Sequence, residues 1–273
     1  MNPLGLDFVK KLKPIKMYPD YHMHTNFSDG HHTHHEMVYA AEATGLAEIG
    51  FTDHISLKPV GWAMDLNKLP ELVELMNHLQ RKSNSVAVRF GAEVDYIPGL
   101  VDQTKALIES LPLDYVIGSV HFIGDWNFDT DINGYNGIDI DMFYRAYFRL
   151  IKEAAQTGMF DIIGHADLAK KFAVYPSFKL QKTYEQCAKI FKECDVVIEL
   201  NTSGKNKPCA EFYPSTDFLE ILHHYHVPIT LGSDAHVEQN IGQYFNEAIN
   251  LLKSLGYKEI IGFKQRNRIP IGI

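Results

Sequence analysis

Of the 14 histidines in this sequence, six fall in the stretch DYHMHTNFSDGHHTHHE, between His22 and His35. His22 and His24 stand two residues apart, so on an extended strand they share a face and can grip one ion. Further acidic and imidazole groups follow at intervals: Asp53 and His54, Glu93 and Asp95, His121, His165 and Asp167, Glu199 and Asn201, Asp234 and His236. Imidazole and carboxylate without thiolate suit Zn, Mn, Fe or Co and do not choose among them. An HxH alone is a weak signal; combined with Asp53-His54 and Asp234-Ala235-His236 it becomes a strong one. Glu93 has two oxygens with which to bridge a pair of ions.

These residues need elements that bring them together. Short β-branched or apolar runs predict strands at 17–24, 48–54, 86–96, 114–121, 161–167, 195–201, 228–236 and 259–263. Amphipathic patterns predict helices at 35–45, 66–83, 101–110, 139–157, 178–194, 215–226 and 239–255. Thr33 and Glu36 form a capping box before the first helix, and Gly45, Gly158 and Gly256 stand where helices should stop. Strands alternating with helices imply a parallel sheet, either closed into a barrel or open and doubly wound. No glycine-rich nucleotide fingerprint follows the first strand. The irregular stretch 122–138 reads as a long loop over a site. The first seven strands all end in potential ligands, and in a parallel barrel those ends share one face, so a scattered list becomes one site.

Composition narrows the class. The 273 residues, 45% hydrophobic and 22% charged, are those of an ordinary globular protein with a large core. No Pro, Gly or Ser-rich linker divides the chain, so 1–273 reads as a single domain with residues 1–16 as an N-terminal extension. The basic cluster Lys10 to Lys16 reads as a solvated tail segment. With 26 basic against 34 acidic residues the net charge is −8, which disfavours nucleic acid as a partner. Cys187, Cys194 and Cys209 fit neither a disulfide framework nor a thiolate site, and read as packing residues in a reducing compartment. No secretory signal and no membrane-spanning apolar run is evident, so the expectation is a soluble, cytoplasmic protein without membrane partners.

The segments DYHMHTNFSDG, GFTDH, GAEVDY, GSVHFIG, GHADL, ELNTSG and GSDAH resemble the successive motifs of the PHP (polymerase and histidinol phosphatase) superfamily, from about Asp20 onward. Their flanks, EVDYIPG, DYVIGSVHFIG and NTSG, are similar to the histidinol-phosphatase branch. The resemblance implies a distorted (β/α)7 TIM-like barrel with its metal site at the C-terminal ends of the strands. It also implies three divalent ions and hydrolysis of the small phosphate ester L-histidinol phosphate in histidine biosynthesis. Carried over residue by residue, it implies one ion held by His22, His24, Glu93 and Asp234, and a second sharing Glu93 with His121 and His165. A third would lie on His54 and His236 with Asp29, His31 or His32 remaining open in place of Asp29. His34 and His35 would enter the first helix as bystanders.

The expected chemistry is attack on phosphorus by a hydroxide held between metal ions, with Asp234, His236 and Glu93 as catalytic residues and no phosphoenzyme, since no DxDx[TV] or Cx5R motif appears. Lys171 is the expected phosphate-binding residue, with Lys170 and Lys205 as neighbours of the same kind. The loop 125–131, with Trp126, is a source of contacts to the substrate's ammonium and imidazole or else a structural lid. Glu199, Asp167 and Asp53 are expected to orient ligand histidines. Three other readings stay open: an amidohydrolase barrel, a PHP-type 3′-exonuclease, and a non-catalytic metal-binding module.

Overall fold

The computed structural model describes residues 18–82 and 85–273, so the N-terminal extension and its lysines lie outside the described residues. Its strands are β1 (Pro19–Asp20), β2 (Glu48–Phe51), β3 (His54–Ile55), β4 (Ala87–Asp95), β5 (Tyr115–Ser119), β6 (Phe122–Ile123), β7 (Trp126–Asn127), β8 (Ile162–Ile163), β9 (Val197–Asn201), β10 (Ile229–Gly232), β11 (Glu259–Lys264) and β12 (Asn267–Gly272). The helices are α1 (His34–Thr44), α2 (Leu69–Arg81), α3 (Val101–Glu109), α4 (Ile140–Gln156), α5 (Gln181–Glu193), α6 (Thr216–His224) and α7 (Phe245–Leu255). The strands pair in parallel in the order β1-β2-β4-β5-β8-β9-β10, with β3 also on β4. An irregular seam closes the ring: Tyr21 N–H donates to Leu231 O (3.1 Å), Asp234 N–H to His22 O (2.8 Å) and His24 N–H to Ala235 O (2.9 Å). This is a seven-stranded β/α barrel.

Each helix is where its sequence dictates. The capping box at Thr33 and Glu36 is formed, and α1 ends on Gly45 at φ 78°. In α4, Phe143, Tyr144, Tyr147, Phe148, Ile151 and Ala155 are buried at helical spacing, and Asp139 accepts from Met142 N–H at the start. Among the described residues no helix is long and apolar enough to cross a membrane. The three cysteines are unpaired, and burial pushes the Cys187 thiol up to about 12, as suits a packing residue.

Two strands are shorter than their patterns. The predicted 17–24 run is regular only at Pro19–Asp20 with an isolated bridge at Met23, and 161–167 only at Ile162–Ile163, because the chain turns at His165 with φ 24°. The run 259–263 is a strand, β11, yet stands outside the barrel order and pairs antiparallel with β12. Its Ile261 and Phe263 join Tyr21, Tyr115, Ile117, Ile162 and Val197 in an apolar cluster that fills the N-terminal side of the barrel. Along β5 the period of two runs Tyr115, Ile117, Ser119 and then His121, and along β9 Val197, Glu199, Asn201: one strand face is apolar below and polar above. That switch fixes the height of the site.

Tyr115 is wholly buried and donates to Tyr21 O at 2.8 Å. A methyl group on Gly50 would overlap the Tyr115 hydroxyl, so β2 needs glycine there for the close approach. Gly50→Ala is expected to cost about 1–3 kcal/mol of stability in urea unfolding. Gly272→Ala, which meets nothing within 4 Å, should stay within about 0.5 kcal/mol of the parent. Equal stabilities would contradict this packing.

Candidate metal centre

The C-terminal ends of the strands deliver His22, His24, His54, Glu93, His121, His165, Asp234 and His236 to one mouth, and the loop after β1 adds Asp29. Glu93 is the hub, 1% exposed. Its Oε2 lies 3.1 Å from His22 Nε2, 3.5 Å from His24 Nε2 and 2.9 Å from His54 Nδ1. Its Oε1 lies 2.9 Å from His165 Nε2 and 3.6 Å from His121 Nε2, and accepts from Ser119 Oγ at 2.6 Å. Asp234 Oδ1 completes the first group, 3.2 Å from His24 Nε2 and 3.7 Å from His22 Nε2. Asp29 meets His54 Nε2 at 3.6 Å and His236 Nε2 at 3.3 Å.

These spacings suit cations. Two ligands each about 2.1 Å from one ion stand roughly 3–3.6 Å apart. His22 Nε2 and His24 Nε2 face each other at 3.1 Å, where two lone pairs repel unless a proton or a cation lies between them. His24 Nδ1, His165 Nδ1 and Asp29 Oδ1 are buried without a hydrogen-bond partner. The nitrogen and oxygen donors form overlapping groups: His24, Asp29, His54 and His236; His22, His24 and Glu93; His54, Glu93 and His121. The residues present therefore fit divalent ions. His54 departs from the expected sets by reaching Glu93 as well as Asp29. His31 and His32 are outside these groups, and His31 N–H instead donates to His236 O at 2.9 Å.

A surrounding layer aims the donors. His22 Nδ1 meets Glu199 Oε1 at 2.6 Å and His121 Nδ1 meets Asp95 Oδ1 at 2.7 Å, so both rings turn Nε2 inward. Asn201 Nδ2 and Ser203 Oγ donate to Asp234 Oδ2 at 3.3 and 3.0 Å. His165 and Asp234 have positive φ, 24° and 53°, strained for non-glycine residues.

Of the three expected orienting residues only Glu199 touches a ligand histidine. Asp53 instead accepts from Thr25 N–H (2.7 Å) and Ser28 Oγ (2.7 Å) and lies 3.3 Å from His34 Nε2, tying down the loop after β1. Burial opposes its ionisation, yet His34, Ser28 and Thr25 hold it at about 2. His34 is thus a buried structural residue rather than a bystander at the mouth; His35 is exposed. Asp167 pairs with Lys170 at 3.0 Å and accepts from Ser215 N–H at 2.8 Å. Asp95 was missed as an orienting residue, although its position two after Glu93 places both on one strand face.

A cavity of about 350 Å³ opens beside the donors, lined also by Trp62, Asp129, Thr130, Lys171, Ser203 and Lys207. Lys171 reaches it, donating to Asp129 O at 2.6 Å with Asp129 Oδ2 at 3.2 Å. Lys170 does not: its buried Nζ meets Glu211, Phe212 O and Asp167. Lys205 pairs with Glu247 at 2.8 Å away from the cavity. In the loop 125–131, Trp126 packs on Phe128, Tyr135 and Phe143 as a structural residue, while Asp129 and Thr130 line the cavity. Trp62, whose ring lies 4.6 Å from that of His54, sits in a loop without periodic signal, and Lys207 likewise carried none.

Electrostatics follow the geometry. Burial opposes charge on His22, but Glu199, Glu93 and Asp234 hold it well above the ordinary imidazole range. His121 is likewise pushed up to about 10, chiefly by Asp95, and His236 to about 9, chiefly by Asp29, in both cases against burial. Burial, with His54 and His236 nearby, pushes His24 down to about 4. Glu93, despite burial, lies well below the carboxylate range because His22, His54 and His165 surround it.

Known proteins are similar to this chain in sequence and fold. A family profile described as PHP domain matches residues 20–203. A protein named probable histidinol-phosphatase from Deinococcus radiodurans is 34% identical over 92% of this chain and 98% of its own. A histidinol-phosphatase from Lactococcus lactis is 29% identical over 89% of this chain and 93% of its own. The crystal structure of a histidinol phosphate phosphatase from Lactococcus lactis, complexed with zinc, L-histidinol and phosphate, is similar with a TM-score of 0.78, covering 93% of this chain and 99% of that one at 24% identity.

The raised imidazoles give a signed expectation. His121 and His236, pushed up to about 10 and about 9, hold protons near neutral pH in the metal-free protein, His22 is raised in the same direction, and a cation must displace such protons. Zinc affinity should therefore rise with pH between 6 and 8, with proton release seen by calorimetry in buffers of different ionisation enthalpy. A flat pH profile would contradict it.

Proposed function

Because the chain belongs to the PHP family, we propose that it is a metal-dependent phosphomonoesterase that hydrolyses L-histidinol phosphate to L-histidinol and inorganic phosphate. The observation that carries this reading is the convergence of donors from six strand ends, that of Glu93 included, into one cluster around the Glu93 carboxylate, beside a cavity of small-molecule size. The names of the relatives and the ligands of the lactococcal structure support the substrate. On this reading residues 1–273 form one catalytic domain of a cytoplasmic biosynthetic enzyme.

Three divalent ions are proposed, zinc being one candidate beside Mn, Fe and Co. His22, His24, Glu93 and Asp234 would hold the first, Glu93, His121 and His165 the second, and Asp29, His54 and His236 the third. Bound there, such ions supply charge neutralisation for phosphoryl oxygens and bring the acidity of water near neutral pH. The chain's own groups do the rest. Glu199 and Asp95 fix the His22 and His121 tautomers with Nε2 facing inward. Glu93, Asp234 and His236 line the cavity and would face a phosphoryl group bound there. Lys171 and Lys207 offer ammonium groups to the phosphate, and Asp129, which now engages Lys171, offers a carboxylate to the cationic leaving group. Trp62 presents an aromatic edge for the imidazole.

The same contacts weigh against the other readings. Glu93 stands among the histidines from several strand ends, where an amidohydrolase would carry a carboxylated lysine. A net charge of −8 disfavours an exonuclease.

After reconstitution with Zn, Mn, Fe or Co, kcat/KM for L-histidinol phosphate should exceed that for other small monoesters by at least about tenfold. Asp234→Asn should lower it at least about 100-fold. Solvent oxygen-18 should enter phosphate within a single turnover. Preference for another monoester, or a trapped phosphoenzyme, would overturn the proposal.

A further inference from the structure

Behind the turn that carries His165 lies a second cavity, about 650 Å³, between the α4 side chain Tyr144, the loop before α5 and residues 211–221. It shares no lining residue with the reaction cavity. Its wall combines aromatic rings with acid. Tyr144, Tyr175, Phe178 and Tyr184 supply the rings, and the carboxylates of Asp167, Glu211, Asp217 and Glu220 outnumber the ammonium groups of Lys170 and Lys179. Lys170 offers nothing to an anion, because its three donors meet Glu211 Oε2 (2.8 Å), Phe212 O (2.7 Å) and Asp167 Oδ2 (3.0 Å).

Asp167 supplies the independent observation. The residue is 2% exposed. Its Oδ2 accepts from Ser215 N–H and Lys170, while its Oδ1 is buried with no hydrogen-bond partner. A carboxylate oxygen removed from water and left unpaired is unfavourable, and a donor arriving from the cavity would satisfy it. Burial and then the Asp167 charge raise the phenols of Tyr144 and Tyr184, which places that charge within reach of both rings. Burial and then Glu211 raise Tyr175.

We propose that this cavity binds a small organic cation, a primary ammonium with an aromatic or aliphatic body, whose N–H groups donate to Asp167 Oδ1 while the body lies against Tyr175, Phe178 and Tyr184. Cation–π attraction and a charge-assisted hydrogen bond act together on such a ligand. An anion meets net negative charge, and a neutral apolar molecule leaves Asp167 Oδ1 unpaired. An ammonium answers both.

The test is calorimetric titration of the metal-loaded protein, in excess inorganic phosphate, with benzylamine and with its neutral isostere benzyl alcohol. Benzylamine should bind saturably, benzyl alcohol at least about tenfold more weakly, and Asp167→Asn should weaken benzylamine by a similar factor. Should Asp167→Asn fail to fold, Tyr175→Ala and Asp217→Asn carry the test: both side chains are exposed. Each should weaken benzylamine about threefold or more and leave phosphatase activity unchanged. No saturable binding at millimolar concentration, equal binding of the two probes, or an affinity unmoved by Tyr175→Ala and Asp217→Asn would overturn the proposal.

Discussion

A carboxylate almost wholly removed from water stands at the centre of this protein. Moving an isolated carboxylate into a protein interior costs several kcal/mol even after relaxation. Glu93 avoids that by gathering compensation from His22, His54 and His165 on three strand ends and from Ser119 and His121 on a fourth. Protons on the imidazoles can provide that compensation in the metal-free chain, and divalent ions can provide it when present. Both depend on the same convergence, so the barrel must close before the hub is tolerable. Closure falls to the seam between His22–His24 and Asp234–Ala235, which is built from the ligand segments themselves.

Beneath that polar tier the barrel is filled as an ordinary core. Tyr21, Tyr115 and Phe263 pack edge to face or tilted, with ring centroids 5.0 to 6.0 Å apart, and the hairpin of β11 and β12 supplies the last of them. The site thus rests on a rigid floor. Its walls are rigid too: Asp95, Glu199, Asn201 and Ser203 hold ligand side chains from behind, which limits the movement of any one donor. The positive φ of His165 and Asp234 is strain held in place by this surrounding structure.

Much of this was legible in the residues. Period-two runs and helical faces located every helix and all the barrel strands, because each buries a continuous apolar surface and so carries a strong pattern. Most of the candidate ligand residues were legible because they lie at or just after the end of a strand; Asp29, in the loop after β1, came from the family resemblance. What the pattern missed has physical reasons. The role of β11 as a floor rather than a barrel strand depends on the pairing with β12, a nonlocal contact invisible to periodicity. Asp53 and Asp167 looked like partners of candidate ligand histidines because they stand close to them in sequence. Asp53 is next to His54, and neighbours on a strand point apart; Asp167 follows the turn at His165 that ends the strand, so the two do not share a strand face, and each found its partners elsewhere, in Thr25, Ser28 and His34 or in Lys170 and Ser215. Trp62 and Lys207 belong to irregular loops, whose side-chain directions only the folded chain defines.

The central claim is that Glu93 sits between cations held by histidines from distant strands. Anomalous diffraction at the zinc edge from crystals of the zinc-loaded protein tests it most directly. Peaks should flank Glu93, one toward His22, His24 and Asp234 and another toward His121 and His165, and Glu93→Ala should abolish the pair. Density bound only at the surface, with no peak within bonding distance of either Glu93 oxygen, would contradict it.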